Sequence, residues 1–365
     1  MRPPADPAAA LNLIKPSVRH QPPYTLRAPR PRRKLNQNES PYDVPLELKR
    51  EILARVADAA WHRYPDFTPA PLLEALAARH EWTADGVLVG NGSNELIQAS
   101  LAVSLDAGDR VVAPTPTFSL YRLLTAVFGG CYVPVAFGRD FRYDVDALIE
   151  AAVRERAKVV VLNSPNNPTG SALPADGVER ILAATDALVV CDEAYQDFGG
   201  PTAVGLLAAS PRLVVLRTFS KAFGLAGLRF GYALAHPAVA REIAKAKLPY
   251  NVNLATLIAA GLVLEHAEVR DARVREIVAT RDRTLERLRR LDGLVVYPSA
   301  ANFILIRCVA RPAHEVFRLL LDDHGILVRD VSSAPELQEC LRISVGTEED
   351  MDAVAAALEE ILRER

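Results

Sequence analysis

Hydrophobic and polar positions along the chain follow two rhythms. Between about residues 47 and 235, stretches with helical spacing alternate with short β-branched runs. The runs predict strands at Val87 to Val89, Arg110 to Ala113, Cys131 to Val135, Lys158 to Leu162, Ala187 to Cys191, Leu213 to Arg217 and Phe230 to Leu234. Most are apolar throughout instead of alternating, which is the pattern of strands covered on both faces. The expected fold is therefore α/β, a mostly parallel seven-stranded sheet sandwiched by helices. From about residue 236 the spacing turns helical through about 290. Strand-like pieces at 294–297, 302–307, 326–329 and 341–345 follow, then the helical tail "EEDMDAVAAALEEILRE". This second rhythm predicts a smaller α+β domain. The division expected is an N-terminal arm at 1–45 that joins the small domain, a large domain at 46–250 and the small domain at 251–365.

Composition narrows the class. The chain has 365 residues, 50% hydrophobic and 24% charged, with a formal net charge of -2. These values are near the averages for globular proteins and point to neither nucleic acid nor membrane. No apolar run approaches the ~18 residues that suggest a membrane span, and "MRPPADPAAALNLIKP" lacks a signal peptide's apolar stretch. A cytoplasmic protein is expected. Cys131, Cys191, Cys308 and Cys340 are scattered without metal-ligand spacing, so reduced, mostly buried thiols are expected. Residues 15–34, "KPSVRHQPPYTLRAPRPRRK", hold five prolines, seven Lys or Arg and no acid. An extended arm lying on its own fold or on a partner subunit is predicted there.

In open α/β sheets ligands gather outside the carboxyl ends of the strands, and the segments that leave these strands are polar. "GNGSNELIQ" puts Ser93 and Asn94 at a helix start, where backbone N–H groups and the helix dipole suit an anion. An ordinary N-cap has the same look. "NSPNNPTG" is dense in turn-formers, with Asn167 ahead of a proline that could be cis. "DEAYQDF" places Asp192 and Tyr195 three residues apart, able to point at one ligand from a short turn. "TFSKAFGLAGLRFGY" carries Lys221 off a buried strand among Thr218, Ser220 and glycines. Partial desolvation would lower the amine's pKa and make it a nucleophile towards carbonyls. Taken alone, each segment also reads as a surface turn. Together, a lysine, an aspartate, an asparagine, a tyrosine and an arginine at successive strand ends are what pyridoxal phosphate chemistry needs.

The ordered motifs G-N-G-S-N-E, N-N-P-T-G, D-E-A-Y and S-K-A-F-G-L-A-G-L-R resemble the fold type I aminotransferases, in particular their histidinol-phosphate branch. The resemblance runs from "LNQNESP" at 35 to "LRISVG" at 341. It implies pyridoxal 5'-phosphate as cofactor, with Lys221 as its Schiff-base lysine and proton shuttle. Asp192 would pair with the pyridinium, and Asn167 and Tyr195 would hydrogen-bond the ring's 3-oxygen. Thr218, Ser220, Arg229, Ser93 and Asn94 would cup the phosphate, and Phe118 would stack on the ring. Tyr64 in "RYPD" would reach the cofactor phosphate of a partner subunit, implying a homodimer with shared sites. Arg342 would take the substrate carboxylate or, paired with Arg329 as in the histidinol-phosphate branch, a phosphate ester. Tyr24 would be the N-terminal tyrosine that contacts substrate. Asn94 stands where that branch usually has an acid, and Phe118 where tyrosine is common.

The implied reaction converts L-histidinol phosphate and 2-oxoglutarate to imidazole acetol phosphate and L-glutamate. An aromatic amino acid aminotransferase and an O-phospho amino acid decarboxylase on the same scaffold are the alternatives.

Overall fold

The computed structural model describes residues 7–21 and 30–363. Among the described residues thirteen strands form three sheets. In chain order they are β1 (Arg33–Lys34), β2 (Val87–Gly90), β3 (Arg110–Thr115), β4 (Cys131–Ala136), β5 (Val159–Asn163), β6 (Leu188–Asp192), β7 (Leu213–Thr218), β8 (Gly231–Ala235), β9 (Leu294–Val296), β10 (Phe303–Cys308), β11 (Ile326–Leu327), β12 (Arg329–Asp330) and β13 (Cys340–Ser344).

The large sheet has the order β2-β8-β7-β6-β5-β3-β4. Only β8 runs antiparallel to its neighbours. Its all-apolar strands have a direct explanation, since alternate residues enter different cores. Val112, Val160, Leu162, Val189 and Val215 pack into one hydrophobic cluster. Val111, Val159, Val161, Val190 and Val214 pack into the other. Each such side chain contributes about 1.5–3 kcal/mol on burial. A polar residue would therefore be costly anywhere along these strands except at their ends, and the ends are where the polar residues stand.

The second sheet is antiparallel, in the order β12-β13-β10-β9. The strand expected at 326–329 divides: β11 pairs with β1, while β12 pairs with β13. The cause is the N-terminal segment, whose β1 takes the hydrogen-bonding edge of β11. Helices Leu254–Glu265, Ala267–Leu288 and Glu348–Arg363 fill the helical stretches.

The arm departs from the expected extended form at Pro16–Arg19, which makes one helical turn. Proline suits a helix's first position, because its fixed φ fits and its missing N–H has no partner there in any case. The Lys15 amine donates to Val127 O at 3.1 Å, so this part of the arm lies on its own chain beside helix Leu120–Val127. The four cysteines are free, with Cys131 exposed and the other three buried. Among the described residues no helix is long and apolar enough to cross a membrane.

Candidate active site

A cleft of about 1210 Å³ opens at the carboxyl ends of β3, β5, β6 and β7, and the second sheet closes its other side. It gathers residues from every polar exit read in the sequence. Ser93, Asn94, Phe118, Asn167, Asp192 and Tyr195 line it. So do Thr218, Ser220, Lys221, Arg229, Arg329 and Arg342. Tyr24 falls outside the described residues. Tyr64 is not in the cleft: it is 79% exposed and stacks on Tyr250 at 4.5 Å between ring centroids.

One end of the cleft is shaped for a small tetrahedral anion. Helix Ser93–Ser104 starts there, directing its first N–H groups into the cleft. Arg229 bends back with a positive φ of 59° and donates from Nη1 to Ser220 Oγ at 3.0 Å. Ser220 N in turn donates to Thr218 Oγ1 at 3.1 Å. Two glycines allow this approach. Gly92 has φ 77°, and a Cβ on it would collide with the Arg229 guanidinium, while one on Gly231 would collide with Ser93 N. A helix start, an arginine and two hydroxyls held this close fit the phosphate of pyridoxal phosphate.

The middle of the cleft holds two buried groups with displaced pKa values. Burial lowers Lys221 from 10.5 to about 7, helped by the positive charges of Arg342 and Arg229. Its Nζ donates to Gln37 O at 3.0 Å. Burial raises Asp192 to about 6, while the Tyr121 hydroxyl and the Ala194 N–H oppose the rise. Tyr121 donates to Asp192 Oδ2 at 2.7 Å, and Ala194 N to Oδ1 at 3.1 Å. A buried carboxylate raised by desolvation favours a cationic partner, and an amine with a substantial neutral fraction near pH 7 is a ready nucleophile. Phe118 meets Tyr121 edge-on at 5.7 Å. Tyr195 accepts a hydrogen bond on its hydroxyl from Asn38 Nδ2 at 3.0 Å.

The far end belongs to the second sheet. Arg329 on β12 lies directly opposite Arg342 on β13. Arg342 is 8% exposed and donates to Asn167 Oδ1 at 2.5 Å and to Asn36 O at 2.7 Å. Like charges opposite one another on adjacent strands destabilise a sheet. An anion between them reverses the sign of that term.

Sequence reading missed several contributors. Tyr121 carries no motif signal, because its role depends on meeting Asp192 across the fold. The two adjacent asparagines also divide their work. Asn166 is fully buried and ties the turn together through Pro116 O at 3.0 Å and Thr169 Oγ1 at 2.9 Å, while Asn167 faces the cleft. Residues 35–38 form a strap between the sheets. Leu35 N donates to Leu327 O and Leu35 O accepts from Ser344 N, Asn36 O meets Arg342, Gln37 O meets Lys221, and Asn38 meets Tyr195. The peptide bond between Asn167 and Pro168 is cis.

Comparison with known proteins agrees with this geometry. The family model described as aminotransferase class I and II matches residues 32–358. A histidinol-phosphate aminotransferase of Prosthecochloris aestuarii is 41% identical over 89% of this chain and 90% of its own. One from Chlorobaculum tepidum is 41% identical over 90% of this chain and 94% of its own. The crystal structure of histidinol-phosphate aminotransferase from Sinorhizobium meliloti in complex with pyridoxal-5'-phosphate superimposes with a TM-score of 0.86 at 29% identity. That match covers 96% of this chain and 98% of the other. The cleft with its lysine and buried aspartate, the doubly wound sheet above it and these matches lead to one conclusion: the chain belongs to the class I and II aminotransferases.

Proposed function

We propose that the protein is a pyridoxal-phosphate-dependent aminotransferase that transfers the amine of L-histidinol phosphate to 2-oxoglutarate. The observation that carries the substrate is the opposed pair Arg329 and Arg342 in one cleft. Two guanidinium forks suit a doubly charged phosphate ester better than a single carboxylate. The likeness to histidinol-phosphate aminotransferases supports the same reading.

What pyridoxal phosphate supplies when bound is an electron sink for the substrate's α-carbon and a carrier for the amine. Arg229, Thr218, Ser220, Ser93 and Asn94 would hold its phosphate. Asp192, kept buried and oriented by Tyr121, would pair with the protonated ring nitrogen. Asn167 and Tyr195 would bind the ring oxygen, and Phe118 would cover the ring face. Lys221 would anchor the cofactor covalently. Its Nζ, lowered to about 7, is also the atom that would take the proton from the substrate α-carbon and return it.

The same reading extends to assembly. We propose a homodimer, supported by the exposed aromatic patch in which Tyr64 stacks on Tyr250 and Phe67 meets Tyr250 edge-on. Tyr64 would cross to the phosphate of the second copy's cofactor. The units would be a large cofactor-binding domain at 46–250 and a small domain at 251–365 joined by the arm at 1–45. The cytoplasm is the proposed location.

The test is kcat/KM for L-histidinol phosphate against L-phenylalanine, each with 2-oxoglutarate. The phosphate ester should lead by about 100-fold, the scale of one or two charge-assisted hydrogen bonds. A lead for phenylalanine overturns the substrate assignment.

A further inference from the structure

A second cavity of about 260 Å³ lies beside the cleft, between the loop after β4 and the outer face of the second sheet. Its lining combines three kinds of chemistry. Phe137, Phe141 and Tyr297 supply aromatic walls, with Phe141 and Tyr297 at 4.8 Å and 63°, and Phe137 and Phe141 at 6.5 Å and 84°. Arg307 supplies a cation, and Asp140 and Glu336 supply two carboxylates.

The charges are not spent on one another. Arg307 donates from Nη2 to the Glu336 backbone O at 3.2 Å, and its buried Nε has no hydrogen-bond partner. It forms no ion pair among the described residues. The Glu336 carboxylate also forms none there and accepts only the Thr115 hydroxyl, at 3.2 Å. The Arg307 side chain also interacts with Tyr297 and Cys340, but no carboxylate pairs with it among the described residues, so an entering carboxylate would meet a cation not yet joined to an acid. The loop is itself held in an unfavourable shape, since consecutive residues Asp140 and Phe141 have φ 57° and 56°. Such strain gathers at binding sites, where surrounding contacts hold it.

We infer that this cavity is a binding site for an aromatic α-amino acid. The ligand's carboxylate meets Arg307, its ammonium group meets Asp140 and Glu336, and its ring enters the aromatic walls. A zwitterion with a planar side chain satisfies all three features at once, whereas an aromatic acid or an aromatic amine satisfies only two. Thr115 and Glu336 line both this cavity and the substrate cleft. An occupant therefore contacts groups from both sheets next to the catalytic chamber.

The test is calorimetric titration of the holoenzyme with L-phenylalanine, L-tyrosine, L-tryptophan and L-histidine, with phenylacetate and phenethylamine as half-ligands. At least one amino acid should bind saturably. Both half-ligands and the Arg307→Met variant should bind about tenfold more weakly, the scale of one lost charge-assisted contact. Arg342→Ala should keep the Kd within about twofold, because that residue faces the other chamber. Circular dichroism and thermal melting check that Arg307→Met folds. Asp140→Asn, on the exposed loop, is the second variant and should weaken binding about fivefold. Binding lost in Arg342→Ala but kept in Arg307→Met would put the ligand in the substrate cleft and overturn the inference. Absence of saturable binding by all four amino acids at about 10 mM would do the same.

Discussion

The two ends of the cleft are built on opposite principles. At the proposed cofactor end, the cation Arg229 is already hydrogen-bonded to Ser220, which is bonded to Thr218, and a helix start completes the ring. Thr218, Ser220 and Arg229 come from one loop, and Ser93 joins them from another loop of the same sheet. At the proposed substrate end, Arg329 and Arg342 face each other across two strands. Arg342 is oriented by Asn167 from the large sheet and Asn36 from the strap. The first end is preorganised on a single sheet. The second is assembled from distant parts and carries like charge until a ligand arrives. An enzyme that keeps its cofactor and exchanges its substrates benefits from the first arrangement, because preorganisation serves tight binding.

This contrast can be broken most severely between the two ends, at the lysine. Lys221→Ala should lower kcat by about 10⁴-fold or more, because the proposed nucleophile and proton carrier both disappear. Pyridoxal phosphate should still bind through its phosphate, but without the visible absorbance of the wild-type linkage. Unchanged absorbance would remove Lys221 from its role.

A smaller effect is expected at the substrate end. Arg329→Ala should reduce kcat/KM for the phosphate ester by about 10- to 100-fold. Turnover of an aromatic amino acid should change little, and steady-state kinetics with both donors decides. Equal losses would show that Arg329 does not select the phosphate.

The smallest effect concerns protonation. Asp192, raised to about 6, loses its charge as pH falls through that value and then cannot pair with a protonated ring nitrogen. Cofactor affinity of the cofactor-free protein should therefore fall as pH drops through about 6. The Tyr121 hydrogen bond favours the ionised carboxylate, so Tyr121→Phe should move this midpoint upward. Equilibrium titrations between about pH 5 and 8 measure it, and an unmoved or lowered midpoint would mean that the hydroxyl does not tune the carboxylate.

What could be read from the chain follows the same division. Asp192, Thr218 and Lys221 were visible because an apolar run that enters two cores must end where polar residues begin, and local patterning marks that end. Tyr121 was not visible, since its partner lies 71 residues away. Nor was the link from Asn38 to Tyr195, 157 residues apart, or that from Arg342 to Asn36, 306 apart. Neighbouring Asn166 and Asn167 could not be told apart by type. Only the turn's closure, which buries the first, leaves the second facing the cleft. The helical turn at Pro16–Arg19 escaped because proline content alone argued against helix, although proline at a first position permits one.

The strap at residues 35–38 has a consequence for how the chain can change. Its contacts to Arg342 and Lys221 use the carbonyls of successive residues, Asn36 and Gln37. No side-chain substitution deletes a carbonyl, so Gln37 can vary without removing the acceptor that faces the lysine. Inserting or deleting one residue, however, would shift both carbonyls out of step with the two sheets they join. What the strap holds constant is a count of peptide units rather than an identity. Its main chain acts as a ruler between the cation proposed to meet the substrate and the amine proposed to hold the cofactor.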